Sequence, residues 1–133
     1  MATLGLWLGS CSQVTDTLAL GNMEAAAKDQ IMLVRKDPAS FGYRRLESHL
    51  ATYPELNLFI SQHGIPDFLA ETGSRDQRYL ILYYLKVREA FVSRVRPENR
   101  SSLEFAGPYP VTSKEFRLLD GFRSDPSKRP VKF

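Results

Sequence analysis

The sequence predicts an α+β domain in which N-terminal helices pack on a three-stranded antiparallel meander, with a short helix near the C-terminal end. Three observations carry this expectation. Apolar residues recur at helical spacing as far as Gly64, the period becomes extended beyond Pro66, and residues 78–85, RYLILYYL, form an almost unbroken aromatic and aliphatic run. Such a run suits a central strand covered on both faces. The chain has 133 residues, enough for one domain with a genuine core.

The elements follow in order. Asn22 is a good N-cap, and apolar residues at Met23, Ala26, Ala27, Ile31 and Val34 predict a first helix that Pro38 ends. A second helix is expected from about Phe41 to Tyr53, with Leu46, Leu50 and Tyr53 on one face and Gly42 weakening its first turn. Pro54 suits the first position of the next helix, where Leu56, Phe59, Ile60 and His63 make an amphipathic stripe. Gly64 and Pro66 close that helix. Strands are expected over 68–72, 78–85 and 90–95, with a polar loop over 97–102. Gly107-Pro108-Tyr109-Pro110 reads as a stiff extended segment. Thr112 and Glu115 have capping-box spacing for a helix from Ser113 to about Gly121.

This pattern divides the chain into an apolar, uncharged leader-like stretch over 1–10, a polar tether over 11–21, one α+β domain over 22–122 and a basic, flexible tail over 123–133. Hydrophobic residues make up 43% and charged residues 25%, which excludes wholesale disorder. The formal net charge of +3 suits an anionic membrane surface or an acidic partner, and is too small an excess to argue for nucleic acid by itself. A single cysteine excludes an internal disulfide and a multi-cysteine metal site. No apolar run reaches the roughly 18 to 20 residues of a membrane span.

No catalytic, cofactor-binding or metal-binding set is legible. His49 and His63 fall on separate helices without the spacing of a zinc-binding helix, and both read as packing residues, His63 beside a last-turn carbonyl. Asp67 and Glu71 are not read as an acid–base pair. The glycines form no phosphate-cradling loop. Tyr79, Tyr83 and Tyr84, with Arg75, Arg78, Lys86 and Arg88 nearby, could give a sheet that stacks single-stranded bases, although a Tyr-rich central strand is more often core.

Leu8-Gly9-Ser10-Cys11 holds the chain's one cysteine. It resembles the lipobox of bacterial lipoproteins, in which small residues fit the signal peptidase and the thiol receives a diacylglycerol. Several acyl chains on one cysteine exceed what stable anchoring needs. Ser12 stands where many inner-membrane lipoproteins have aspartate, so the resemblance implies the outer membrane, periplasmic face. A working leader carries a positively charged start and a longer apolar stretch than residues 1–10 supply, so the resemblance implies further residues upstream of Met1. The helical pair leading through Gly64-Ile65-Pro66 into a meander is also similar to small lipoproteins of the outer-membrane-assembly (SmpA/OmlA) family, over about residues 41–95. The Gly-Met-Thr motif of that family is missing, and no binding residue carries over.

These readings give a non-enzymatic, membrane-anchored interaction module with a lipid on Cys11 and another envelope protein as partner. Phe105 and Tyr109 are the possible partner surface. The alternative is a cytoplasmic binding module, with Cys11 a buried thiol and nucleic acid bound on the basic, tyrosine-bearing sheet.

Overall fold

A computed structural model describes residues 29–74 and 77–125. Five strands, β1 (Gln30–Leu33), β2 (Phe68–Gly73), β3 (Arg78–Tyr84), β4 (Glu89–Val95) and β5 (Leu103–Pro110), form one antiparallel sheet in chain order. Helices α1 (Phe41–Thr52) and α2 (Pro54–His63) lie between β1 and β2, and α3 (Ser113–Ser124) follows β5.

The three-stranded meander is therefore corrected: β1 and β5 flank the three expected strands. Residues 30–33, expected in the first helix, pair with β2 in the register Ile31↔Ala70 and Met32↔Leu69. Ile31 and Met32 are both buried, on opposite faces of the sheet. A short run buried on both faces gives the same apolar signal in a strand and in a helix, and only its pairing partner decides. Residues 22–28 of that expected helix lie outside the described residues, as do the leader and the tether. β5 escaped notice because its second half is exposed and contains two prolines.

Helices cover both faces of the sheet. Leu46 of α1 and Leu56 and Phe59 of α2 pack with Met32, Leu69, Leu82 and Phe91 on the inner face. Leu119 and Phe122 of α3 pack with Ile31, Phe68, Ala70, Tyr83 and Ala90 on the outer face. Each large apolar side chain buried this way contributes about 1.5–3 kcal/mol of transfer free energy, so both layers hold the sheet. Arg123 and Ser124, expected in the tail, complete α3, and residues 126–133 lie outside the described residues. Arg123 bonds Asp120 at 2.6 Å and stands 3.6 Å from Asp67.

Local chemistry sets the helix ends. Ser40 caps α1 by accepting from the Tyr43 N–H and donates to the Leu33 carbonyl at 2.7 Å, tying the helix to β1. A Cβ at Gly42 would lie 2.3 Å from the Leu33 oxygen, so glycine there permits the close approach of α1 to β1. Thr112 and Glu115 form the capping box of α3.

The β5 edge is closed by three devices. Arg96 N–H donates to the Ser102 carbonyl, and Leu103, next along, turns its N–H outward, where it donates to Glu55 of α2 at 3.3 Å. The register changes from Val92↔Ala106 to Ala90↔Tyr109, a one-residue bulge at Gly107, whose φ of 127° favours glycine. Beyond it, Val111 N–H donates to Arg88, so the alternation places Pro108 and Pro110 at outward positions where neither offers an N–H.

Candidate functional site

Arg45 and His49 stand four residues apart on α1 and so share the helix side that faces the sheet. Opposite them, Glu71 of β2 points inward beside Leu80, its cross-strand partner. Arg45 grips Glu71 through two bonds of 2.7 Å, Nε to Oε2 and Nη2 to Oε1. His49 Nε2 lies 3.0 Å from Glu71 Oε2 and 3.3 Å from Arg45 Nη2. Arg78, at the start of β3, approaches Oε1 at 3.6 Å, an ion-pair distance beyond hydrogen-bond length. Arg45 is 3% and Glu71 1% exposed.

Burial pushes the Glu71 carboxyl up, but hydrogen bonds from His49 and Arg45 outweigh it and hold the pKa down at about 2. Glu71 is therefore ionised at neutral pH. In front of this group opens a cleft of about 260 Å³, lined by Arg45, Ser48, His49, Tyr53, Arg78 and Arg100 among others. Its polar lining comes from α1, from β3 and from the loop after β4. Chemically the arrangement offers guanidinium and hydroxyl donors to an anion. Among the described residues, no group of three or more His, Cys, Asp or Glu could hold a metal ion.

The sequence-predicted residues fall elsewhere. Cys11 lies outside the described residues. Phe105 stacks on Phe59 at 4.5 Å with the rings 2° from parallel, so its ring packs α2 onto β5. Tyr109 is 50% exposed and borders an outer-face groove of about 390 Å³ with Tyr79, Val92 and Ala106. Phe105 also touches that groove, while its ring contacts α2 on the inner face. His63 stacks on Phe59 and its Nδ1 lies 3.1 Å from the Phe59 carbonyl, the expected last-turn contact. Asp67 precedes β2 and accepts from Leu85 N–H at 2.7 Å, apart from Glu71.

Of the three tyrosines read as able to stack bases, two are buried. Tyr83 and Tyr84 are 5% and 9% exposed: Tyr83 packs with the residues under α3, and the Tyr84 hydroxyl donates to the Gly64 carbonyl. Arg88 lies over the Phe116 ring at 3.9 Å. Arg75 lies outside the described residues. Burial also pushes both tyrosine pKa values up, Tyr83 to about 12.

The Arg45–His49–Glu71 group was missed by sequence reasoning. A weak signal existed: Arg45 and His49 share one helical spacing, and Glu71 follows Leu69 at strand spacing in an otherwise apolar segment. Comparison with protein-family models, curated proteins and solved structures finds no match to this chain. No described helix is long and apolar enough to cross a membrane.

Proposed function

We propose that this chain is a non-enzymatic interaction module that receives an anionic group of a partner protein in the cleft between α1 and the sheet. The observation that carries this reading is the charge of the lining. Among the described residues, Arg45, Arg78 and Arg100 border this concave site, and Glu71 stands behind it on Arg45. Positive charge held in a partly enclosed cleft attracts acidic partners and orients their approach. Glu71 supports the site by holding Arg45 in one conformation.

The lipobox-like Leu8-Gly9-Ser10-Cys11 supports anchoring of this module by lipid on Cys11 at the periplasmic face of the outer membrane, with an envelope protein as the partner. Seventeen residues, 12–28, separate Cys11 from Asp29, the first described residue.

Two measurements test the proposal. The full chain should bind a hexaglutamate peptide at low salt, and Arg78→Ala should weaken that binding about tenfold, the loss of a charge-assisted bond. No binding at low salt, or equal binding by the variant, overturns the cleft as the site. Palmitate labelling of the protein in its own cells should disappear in Cys11→Ala. An unlabelled wild-type chain overturns the anchor.

A further inference from the structure

We propose that residues 22–28, which lie outside the described residues, dock as a short helix on the part of the outer sheet face that α3 leaves bare. Met23, Ala26 and Ala27 form its apolar side. The inference is independent of the cleft, which lies on the inner side of the sheet.

The outer face is only partly covered by the described residues. α3 packs over Ile31, Phe68, Ala70 and Tyr83, at the end of the sheet where Arg123 approaches Asp67. By register, Thr72, Tyr79, Val92 and Ala106 continue the same face beyond it. Among the described residues, none of them belongs to the cluster under α3. Tyr79, Val92 and Ala106 instead line the outer-face groove of about 390 Å³.

The chain enters the sheet at this bare part. Asp29, the first described residue, accepts a hydrogen bond from the Thr72 hydroxyl at 3.2 Å. Its φ of 55° is the left-handed conformation in which helices commonly end. The backbone therefore turns at Asp29 as it does after a helix, beside Thr72 and its cross-strand partner Tyr79. Residues after α3 start from the Asp67 end, so the segment before Asp29 is the nearer occupant.

The segment has the composition and length for this place. Asn22 supplies an N-cap, and Met23-Glu24-Ala25-Ala26-Ala27-Lys28 consists of strong helix formers. Met23, Ala26 and Ala27, at i, i+3 and i+4, share one side of a helix. Glu24 in the first turn and Lys28 in the last match the helix dipole. Six residues rise about 9 Å, and the step from β2 across β3 to β4 is about 10 Å at ordinary strand spacing. A helix that ends beside Thr72 thus brings Met23 to Val92. So short a helix is not stable alone in water, and burial of this side on the sheet is what holds it.

Cross-linking of the full chain tests the docking. In a Cys11→Ser background, Met23→Cys is combined with Val92→Cys and, separately, with Leu58→Cys, an exposed position on α2. Under mild oxidation the first pair should cross-link within one chain at least tenfold faster than the second. Equal rates, or no cross-link, overturn the inference. A disulfide between two chains in the first pair also overturns it, and assigns the face to a second copy. Trypsin supplies a readout without engineered cysteines. Cleavage after Lys28 should be at least tenfold faster in Val92→Glu than in the wild type, with circular dichroism showing that the variant stays folded. Equal cleavage in a folded variant overturns the docking.

Discussion

Arg45 on α1 and Glu71 on β2 meet in a bidentate pair with both bonds at 2.7 Å, although they stand 26 positions apart in the chain. The pair fastens the helical layer to the middle of the sheet. A buried pair of this kind gives little net stability over an apolar replacement, yet breaking it by removing one member is costly. It also sets the position of a cleft-lining arginine, so fold and candidate site share one contact.

The first prediction concerns that contact. Glu71→Gln takes the bidentate carboxylate from the buried Arg45 guanidinium and should destabilise the domain by about 3–5 kcal/mol. Replacing both residues together, Arg45→Met with Glu71→Leu, should recover most of the loss. Urea unfolding of the two variants checks this; a double variant no more stable than Glu71→Gln would contradict it.

The same carboxylate predicts acid sensitivity. Its pKa in the folded protein, about 2, lies below its ordinary value of 4.5. A depressed carboxylate adds stability that is fully present above pH 4.5 and is lost as pH falls through 2. The difference corresponds to on the order of 3 kcal/mol, more than half of it gone by pH 3. Unfolding midpoints measured between pH 6 and pH 3 should fall accordingly, and the Arg45→Met, Glu71→Leu chain should show a shallower fall.

Phe105 and Tyr109, four apart on one strand, should behave differently. Phe105→Ala removes the ring stacked on Phe59 and should cost about 3 kcal/mol. Tyr109→Ala removes a half-exposed ring and should change stability by no more than about 0.5 kcal/mol. Thermal unfolding distinguishes them, and similar losses would mean that Tyr109 is also a packing residue.

The β5 edge gives a prediction about association. Glu55 occupies the outward Leu103 N–H, and Pro108 and Pro110 present none. The triple variant Glu55→Ala, Pro108→Thr, Pro110→Thr should expose a pairing-competent edge and self-associate as concentration rises. Light scattering on the wild type and the variant reads this directly. A monomeric, folded variant would show that these devices do not guard the edge.

Residues acting over one turn were legible in the sequence. Pro54, Gly64 and the Thr112–Glu115 box mark helix ends because capping chemistry spans three or four positions. Residues 78–85 announce a buried strand because aromatic and aliphatic side chains fill both faces. β1 was illegible because its four residues carry no periodicity of their own, and β5 because its prolines and exposed half disguise a strand. The candidate site was hidden for the same reason on a longer scale. Arg45, His49, Glu71 and Arg78 read as scattered charges until α1 is laid across β2 and β3.

The chain by itself determined where α1, α2 and α3 begin, that a central apolar strand exists, and that one cysteine follows a lipobox-like Leu-Gly-Ser. Only the tertiary structure decided that five strands pair, that helices cover both faces, and that Glu71 lies buried between Arg45 and His49. The physical reason is range. Capping and turn preferences are settled within a few residues, whereas strand register and ion pairing depend on which distant segments the packed core brings together.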